Sequence, residues 1–341
     1  MLAFALPAFL PLATRSLVER YRRGLLARAE STPLLCGAPG SRFDLVLASL
    51  EFRGRAPRSL ARREFDSLRA EELGRVVPLR VGHSTAKKQP IVGTTPEYFE
   101  LRRLQLDVGT LPLWTGDCVL GEKVARDLGL KPGDTLSSDV NDPHNLAGSY
   151  PLELLVTGVF QAAGSADDRA IFTSLETAWI LEGLGHGHVA PLEASEDDLL
   201  GERDSVTVFS PAVREHQSLG EEQAEDFHFH GDPALRPLSS VLLFPDGPKE
   251  RTLLRGRLSL REDLVSLAPR EVVLEMIDLI LRAKSFFDAN ALLVAVAGLL
   301  ALGLMASYAW QVRSREMRTL RRLGGSSGFL LSLFGGELLF L

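Results

Sequence analysis

Short apolar runs separated by Gly, Pro, Asp and Asn dominate the chain up to about residue 268. Apolar runs of this length that end in turn-forming residues are typical of β-strands. Helical spacing of apolar positions interrupts them at Pro57–Leu73 and at Glu122–Leu128. The pattern predicts an α+β domain over residues 31–268, long enough for two subdomains. The predicted strands are DLVLASL, VVPLRVG, PIVGTT, CVLG, LELLVTGVF, AIFT, SVTVF and VLLFP.

The segment LGLKPGDTL predicts how one helix gives way to the next strand. Gly129 follows the helical pattern, and glycine often ends a helix because it adopts the left-handed backbone conformation without strain. A Pro-Gly turn comes next, where Gly133 beside Asp134 supplies a left-handed turn position. We therefore predict a helix that ends at Gly129, a tight turn and a new strand.

The longest uncharged apolar run of the chain is Ala289–Gln311. As a helix it would be about 35 Å long, which exceeds the roughly 30 Å hydrocarbon core of a bilayer. Asp288 precedes the run, and arginine-rich flanks of a span tend to stay in the cytoplasm. We predict a transmembrane helix at 289–311, a cytoplasmic segment at 312–327 and an extracytoplasmic domain before the span. The arginines that follow the run are Arg313, Arg315, Arg318, Arg321 and Arg322.

Helical apolar spacing continues upstream of the span over Pro269–Phe287. Neither Gly nor Pro separates this segment from the start of the span. We predict a stalk helix at 269–288 that is continuous with the span and transmits movement between the domain and the membrane. The spaced apolar positions are Val272, Val273, Met276, Ile277 and Leu281.

Both ends of the chain are apolar and short for a complete membrane helix. Residues 328–341 (GFLLSLFGGELLFL) are interpreted as the start of a further membrane helix that is truncated. The amino end, MLAFALPAFLPLAT, has no basic residue before it, as a signal peptide would, and runs into Arg15 and Arg20. We therefore interpret residues 1–30 as the end of a truncated first membrane helix followed by a stalk.

Composition narrows the classes of partner. The formal net charge of −6 gives no basic surface for nucleic acid, so we expect no nucleic-acid partner. The predicted span implies contact with membrane lipid.

Cys36 and Cys118 are the two cysteines. They are open to two interpretations, one disulfide in an oxidising compartment or two separate buried thiols.

An acidic stretch from about Leu192 to Asp226 indicates a solvated insertion within about 186–232, because dense like charge resists packing. Histidines are concentrated in and beside it, as His186-Gly187-His188, His216 and Phe227-His228-Phe229-His230. Residues i and i+2 of a strand share a face, so each pair would supply half of a site for zinc or another divalent ion that prefers imidazole.

The metal hypothesis depends on whether the two pairs meet. If they do, His216 or a neighbouring carboxylate such as Asp226 or Asp232 would complete the coordination. The alternative is that pairs so far apart in the chain never meet, and that His-Gly-His is only a polar turn.

Three strings and one membrane-proximal motif resemble a known family. The strings PIVGTTPEYFELRRLQLDVG, CVLGEKVARDLGLKPGDTL and LLVTGVFQAAGSADDRAIFTSLETA resemble the extracytoplasmic core domain of MacB-like ABC transporter permeases. After the span, Arg315–Gly325 is similar to the R-E-x-x-x-L-R-x-x-G segment of FtsX-like permeases, and Glu337 matches a glutamate in their next helix.

The resemblance implies a permease with four membrane helices, a large outer domain between the first two, and a dimer beside a separate ATPase. The cytoplasmic segment would then dock the ATPase. The alternative interpretation is that its arginines only set the orientation of the membrane helix. The docking candidates carried over from the family motif are Arg315, Glu316, Arg318, Arg321 and Gly324.

The sequence contains no G-x-x-x-x-G-K-[ST] loop and no H-E-x-x-H motif, so we assign no catalytic residue and expect ATP hydrolysis on a separate subunit. The main hypothesis is the permease subunit of an ABC transporter in a bacterial inner membrane, which couples ATP hydrolysis by a partner ATPase to movement of the extracytoplasmic domain. This hypothesis includes a link to the handling of a divalent metal such as zinc. Two alternatives stay open: a permease of the lipoprotein-release type, and a membrane-anchored binding or sensor module without an ATPase. The expected partners are the ATPase, a second permease copy, and a periplasmic protein or lipoprotein.

Overall fold

The computed structural model describes residues 19, 22–54, 58–85, 88–112, 114–139, 153–187, 199–203, 206–209, 227–229, 231–329, 332 and 336. The chain divides into an α/β unit, Tyr21–Met276, and a second unit, Met1–Arg20 with Ile277–Leu341. The predicted end of a first membrane helix falls almost entirely outside the described residues. The same holds for most of the predicted membrane segment at 328–341 and of the acidic insertion.

Helices and strands alternate irregularly through the α/β unit. The helices are α1 (residues 22–30), α2 (Arg42–Leu50), α3 (Arg62–Ala70), α4 (Glu97–Arg102), α5 (Glu122–Leu128), α6 (Leu175–Leu181), α7 (Pro248–Ser259) and α8 (Pro269–Arg322). The strands are β1 (Leu34–Gly37), β2 (Leu60–Ala61), β3 (Gly74–Ser84), β4 (Pro90–Thr94), β5 (Leu106–Gly109), β6 (Asp117–Leu120), β7 (Thr135–Ser137), β8 (Glu153–Phe160), β9 (Ile171–Ser174), β10 (Gly185–Gly187), β11 (Leu199–Arg203), β12 (Val206–Phe209), β13 (Phe227–Phe229), β14 (Pro237–Leu238), β15 (Ser240–Pro245) and β16 (Val265–Leu267).

Within the described part of the chain, ten strands form one mixed sheet in the order β16-β1-β15-β3-β4-β9-β6-β8-β5, with β7 also paired to β8. The long strand β3 joins the two halves of this sheet. Its first half pairs with β15, from Gly74 to Leu79, and its second half pairs with β4, from Arg80 to Ser84. The predicted mixture of helices and strands is confirmed, and one sheet runs through the whole α/β unit.

Two clusters of buried side chains pack against this sheet. One draws on β1, β15, α3 and α7, and the other on β6, β8, β9 and α5. Helix α6 contributes to both, because Trp179 belongs to the first cluster and Ile180 to the second. Each fully buried large apolar side chain stabilises the fold by roughly 1.5–3 kcal/mol. Helix α6 therefore connects the two halves through its packing.

One predicted strand is wrong, because DLVLASL forms helix α2. Ser41 caps the helix by accepting a hydrogen bond from the Asp44 backbone N–H at 3.3 Å, and Asp44 lies in the first turn, where a negative charge is favourable. Leu45, Val46 and Ser49 lie on the buried face. A short apolar run does not distinguish a buried strand from a buried helix by periodicity alone.

Most other local predictions are confirmed. The runs VVPLRVG, PIVGTT, CVLG, LELLVTGVF, AIFT, SVTVF and VLLFP fall within or on β3, β4, β6, β8, β9, β12 and β15. Helix α5 has the predicted bounds and ends at Gly129, whose φ is 70°, while Gly133 has a φ of 95° ahead of β7. The helix predicted at Pro57–Leu73 is shorter than expected, since α3 covers only Arg62–Ala70.

Helix α8 joins three segments that the sequence analysis treated separately. Its 54 residues include the predicted stalk and span and continue into the arginine-rich segment as far as Arg322. It ends in a Schellman motif, in which Gly324 has a φ of 98° and the Gly325 N–H donates to the Leu320 carbonyl at 3.0 Å. The predicted stalk and span are thus parts of one uninterrupted helix.

The structure contains Cys36 and Cys118 as free, buried thiols, which agrees with the second interpretation of the two cysteines. Burial raises the pKa of Cys36 to about 12 and also raises the pKa of Cys118, because a thiolate is poorly solvated in the core. Both thiols are therefore protonated and pack as small apolar side chains.

We expect Gly121→Ala to destabilise the α/β unit. A β-carbon at Gly121 would lie 2.1 Å from the Asp167 carbonyl oxygen, so the backbone around Asp167 would have to move, at a cost of about 1–3 kcal/mol. The matched control is Gly256→Ala in α7, where a β-carbon meets nothing within 4 Å and helix propensity predicts a gain of up to about 1 kcal/mol. Thermal unfolding in detergent measures both; an unchanged midpoint for Gly121→Ala would contradict this close backbone approach.

Candidate functional site

A buried polar cluster fastens helix α1 to the sheet. We call Arg28, Tyr98 and Asp167 the Arg28 cluster; they come from α1, α4 and the 3₁₀ turn Ala166–Arg169, and are 6%, 1% and 3% exposed. Arg28 donates through both terminal nitrogens to the Asp167 carboxylate, one of these bonds measuring 2.8 Å. Arg28 also donates to the Tyr98 hydroxyl at 2.8 Å, and that hydroxyl donates to Asp167 Oδ1 at 2.6 Å. The three side chains form a closed triangle of hydrogen bonds.

Apolar and polar neighbours hold the cluster in position. The Phe52 ring lies 5.2 Å from Arg28 Cζ, and the Tyr98 and Phe172 rings are 5.4 Å apart. Ser165 donates from its hydroxyl to Asp167 Oδ2 at 2.8 Å and accepts the Asp167 backbone N–H at 3.2 Å. The ionic pair therefore lies in surroundings of low polarity, where electrostatic interactions are stronger than in water.

The cluster keeps its two charged members ionised. Burial alone would raise the pKa of Asp167, but the Arg28 charge and the hydrogen bonds from Arg28, Tyr98 and Ser165 outweigh it and lower that pKa to about 2. Burial alone would lower the pKa of Arg28, but Tyr98 and Asp167 raise it above its ordinary value. Burial is the main cause that raises the pKa of Tyr98, so the phenol stays neutral and able to donate.

Helix α8 begins beside the end of α1, the helix that carries Arg28. Glu30, at the end of α1, forms an ion pair with Arg270, in the first turn of α8, at 3.2 Å. On α4, Arg102 donates to the Ser31 and Thr32 hydroxyls, at 2.8 and 2.7 Å. The Glu30–Arg270 pair is exposed and contributes at most about 1 kcal/mol, so it brings α1 and α8 together without locking them.

Helix α8 holds its attachment to the domain through buried apolar residues and then becomes exposed. Val272 and Val273 are buried, at 4% and 0% exposure, whereas Leu292, Leu293 and Val294 are among many exposed apolar residues of the predicted span. Within the described residues, this is the one helix long and apolar enough to cross a membrane, over Pro269–Glu316. An uncharged helical surface of this size is expected to be covered by lipid or protein.

The predicted ATPase-docking residues lie on the last part of α8. Arg315, Glu316, Arg318 and Arg321 have exposed side chains, and Gly324 is the left-handed residue that terminates the helix. Their docking role stays a prediction, as does the alternative of an orientation signal. The structure adds that the four side chains project from a helix rather than from a loop.

The two histidine segments meet in the structure. Strands β10 and β13 pair antiparallel, with His186 directly opposite His228. His188, His230, His216 and Asp226 lie outside the described residues. Asp232 caps the turn Pro233–Leu235 by accepting the Ala234 N–H at 2.9 Å. Among the residues that the structure describes, no group of three or more His, Cys, Asp or Glu is placed to hold a metal ion.

The Arg28 cluster was missed by the sequence analysis. Arg28 and Asp167 are 139 positions apart, and Tyr98 and Asp167 are 69 apart, so no local spacing relates them. Sequence alone marks Asp167 only as one of two adjacent acids in a polar turn. Long-range pairs of this kind become visible only once the fold brings their elements together.

A family model described as the MacB-like periplasmic core domain matches residues 37–208. The chain belongs to this family. Its fold also aligns with the periplasmic region of MacB from Actinobacillus actinomycetemcomitans, at 12% identity and a TM-score of 0.39, covering 74% of this chain and 97% of that one. A second alignment is to the extracellular domain of the noncanonic ABC-type transporter YknZ from Gram-positive bacteria, at 12% identity and a TM-score of 0.38. It covers 69% of this chain and 98% of that one. No curated protein sequence matches.

Because both TM-scores are below 0.5, the family assignment rests on the family model alone. The resemblance to MacB-like permeases predicted from PIVGTT, CVLGEK and LLVTGVF is confirmed, since all three strings fall inside the matched residues. The MacB-like domain identifies the chain as a membrane component of the ABC transporter permease type. Together with the exposed apolar part of α8, it fits a membrane-anchored protein with an extracytoplasmic domain.

We expect Asp167→Asn to be among the most destabilising conservative changes in the MacB-like domain. The substitution keeps the shape but leaves the Arg28 charge buried without a counter-charge, at a cost of about 3–5 kcal/mol. The control is Glu275→Gln, which breaks the exposed Arg42–Glu275 pair and should cost at most about 1 kcal/mol. Denaturant unfolding compares them, and equal losses would argue against a stabilising role for the cluster.

The pH dependence of stability should carry the signature of Asp167. Its pKa is lowered from 3.8 to about 2, so its stabilisation is complete above 3.8 and is lost as the pH falls through about 2. Thermal unfolding of the wild type should therefore shift downwards across this acid range. In Asp167→Asn that part of the shift should disappear, and an identical acid profile for the two proteins would contradict the assignment.

Proposed function

We propose that the chain is the permease subunit of an ABC transporter in a bacterial inner membrane, where it couples ATP hydrolysis on a partner subunit to movement of its MacB-like domain. The single observation that carries this proposal is the continuity of α8. The helix starts with buried residues of the domain, passes through the uncharged apolar run and reaches the arginine-rich segment without a break.

A continuous helix is a suitable mechanical element. Every interior backbone group is hydrogen-bonded, so a helix that is displaced at one end transmits the displacement as tilt or rotation to the other. Val272 and Val273 anchor α8 in the domain core, and Arg28 anchors α1 through the buried cluster. Movement of the membrane helices would reach the domain through these two attachments.

The ATPase in this proposal is a separate chain. The sequence lacks the G-x-x-x-x-G-K-[ST] loop that cradles nucleotide phosphates, so nucleotide binding is assigned to the partner. The exposed residues Arg315, Glu316, Arg318 and Arg321 are proposed as its docking surface, with Gly324 setting the end of the helix. A second permease copy and a periplasmic protein or lipoprotein are the further partners that we propose.

Co-purification tests the proposal. Membranes expressing the full gene product are solubilised in mild detergent, and the captured permease is assayed for a bound ATPase and for ATP turnover. We expect the double charge reversal Arg318→Glu/Arg321→Glu to lose most of the bound ATPase, because like-charge contacts at an interface are repulsive. Arg251→Glu, on the exposed face of α7, is the matched control and should retain it.

The result also separates the alternatives. Absence of an ATPase from the captured wild type would favour a membrane-anchored binding or sensor module. Equal loss from the two charge-reversal variants would refute docking at the end of α8 while leaving the permease assignment in place.

We also propose a second function, the handling of a divalent metal ion such as zinc. The specific observation in its favour is the register of β10 and β13, which brings together two histidine segments far apart in the chain. Imidazole nitrogen suits zinc, and the surrounding acidic residues would raise the local concentration of cations. Alanine at His186, His188, His228 and His230 together is expected to abolish stoichiometric zinc binding by the chain in detergent; unchanged binding would refute this function.

A further inference from the structure

Helix α7 has an exposed apolar stripe as well as a buried face. Leu254 and Leu258, each 3% exposed, pack into the core of the α/β unit. Leu253 is 39% exposed, and Leu260, which continues the helical backbone at the C-cap, is 85% exposed. The exposure of Leu260 is the highest of any large apolar side chain that the structure describes. We call Leu253, Gly256 and Leu260 the α7 stripe.

The spacing of the α7 stripe is that of a contact line between two helices. Its residues are three and four positions apart, and at about 3.6 residues per turn this spacing places them on one line along the helix. The same geometry directs that line away from Leu254 and Leu258, which face the core. Helix α7 therefore has two apolar faces, and the domain covers one of them.

Gly256 lies in the middle of the stripe. A β-carbon there would meet nothing within 4 Å, and the backbone is not in the left-handed region that favours glycine. Glycine in a helix interior weakens the helix relative to alanine, so this residue costs stability without a compensating contact inside the domain. Between two exposed leucines it forms a notch, which lets the backbone of a partner approach closely.

Cationic side chains border the stripe. Arg255 lies 3.8 Å from a carboxylate oxygen of Glu271. Arg257 lies 2.9 Å from one of Glu71. A guanidinium has five N–H donors, so each arginine retains donors for a further carboxylate. The exposed cations of α7 are Lys249, Arg251, Arg255 and Arg257, and its one acid is Glu250.

A helix of a second protein fits this surface better than a second copy of the chain or a membrane. A symmetric contact between two copies of α7 would bring their cations together, and like charges at an interface are repulsive. Helices that bind a membrane surface carry bulky apolar residues along one face, whereas Gly256 interrupts this stripe. The same glycine favours a partner helix, because it permits close packing.

We propose that the α7 stripe docks an amphipathic helix of an extracytoplasmic partner protein, whose apolar residues are flanked by Asp or Glu. Leu253 and Leu260 are buried against the apolar residues of that helix, and its backbone approaches Gly256. Its acids pair with Arg255 and Arg257. The inference deepens the proposed function and rests on it for the extracytoplasmic position of the domain and for the existence of a periplasmic partner.

Photo-crosslinking in membranes that express the full gene product identifies the occupant. Ser259→benzoylphenylalanine places the label at an exposed position beside the stripe, and the crosslinked peptide is sequenced by mass spectrometry. We expect a segment of another protein with helical apolar spacing and flanking acids. The control label at Asp127, exposed on α5, should not capture it. Crosslinks only to lipid, to another copy, to residues 192–226 of the same chain or to nothing would overturn the proposal.

A synthetic peptide of the crosslinked segment is then titrated against the full chain in detergent by fluorescence anisotropy. Leu253→Asp and Leu260→Asp should each weaken its binding at least about 10-fold, because a charge replaces a buried apolar group. The matched control is Leu235→Asp, at a leucine that is 56% exposed outside α7, and it should bind as the wild type does. All three leucines are exposed, so thermal unfolding midpoints should stay close to that of the wild type. Equal affinities would overturn the assignment of the surface.

Charge reversal tests the complementarity of the flanks. Lys249→Glu should weaken binding of the peptide, and a peptide with lysine in place of its acids should restore it. Failure of this rescue would overturn the proposed charge pairing. Bound ATPase should be unchanged in Leu253→Asp and Leu260→Asp. Stripe-dependent peptide binding by a chain that captures no ATPase would refute the permease function and still support the docking surface.

Discussion

The interaction on which the architecture depends is the buried ion pair between Arg28 and Asp167. A guanidinium and a carboxylate lose several kcal/mol of hydration each when they are buried, and only close mutual contact and further hydrogen bonds offset that loss. Tyr98 and Ser165 supply those bonds. The ion pair is stable only where α1, α4 and the turn at Asp167 occupy their observed positions. The pair therefore determines how α1 attaches to the rest of the α/β unit.

A second constraint comes from α8, whose two ends need different surroundings. Val273 is buried in the domain, whereas Leu292 and Leu293 are exposed. Apolar side chains in an uncharged run of about 35 Å are stable in a bilayer, where the helix satisfies its own backbone hydrogen bonds. The same continuous helix therefore begins in the MacB-like domain and continues into an apolar run that is suited to lipid. This continuity is the physical basis of the mechanical coupling that we propose.

Local patterns predicted most elements correctly, and the failures have identifiable causes. Helix α5 and the turn after it were predicted because Gly129 and Gly133 adopt backbone conformations that other residues resist. Helix α2 was assigned as a strand because its apolar run is too short to show a helical period, and its decisive signal was the cap at Ser41. Helix and strand compete closely in such runs, and the contact with neighbouring elements decides between them.

The sequence by itself determined most of the elements, the apolar run of α8 and the family, because these depend on neighbouring residues and on motifs with a set order. Only the tertiary structure decided which distant residues meet. Arg28 forms its ion pair with Asp167, and His186 pairs in register with His228. Both are contacts between distant parts of the chain, and no local spacing in the sequence encodes them. The physical reason is that strand register and helix docking minimise the free energy of the whole core, so long-range partners follow from packing that is spread over many residues.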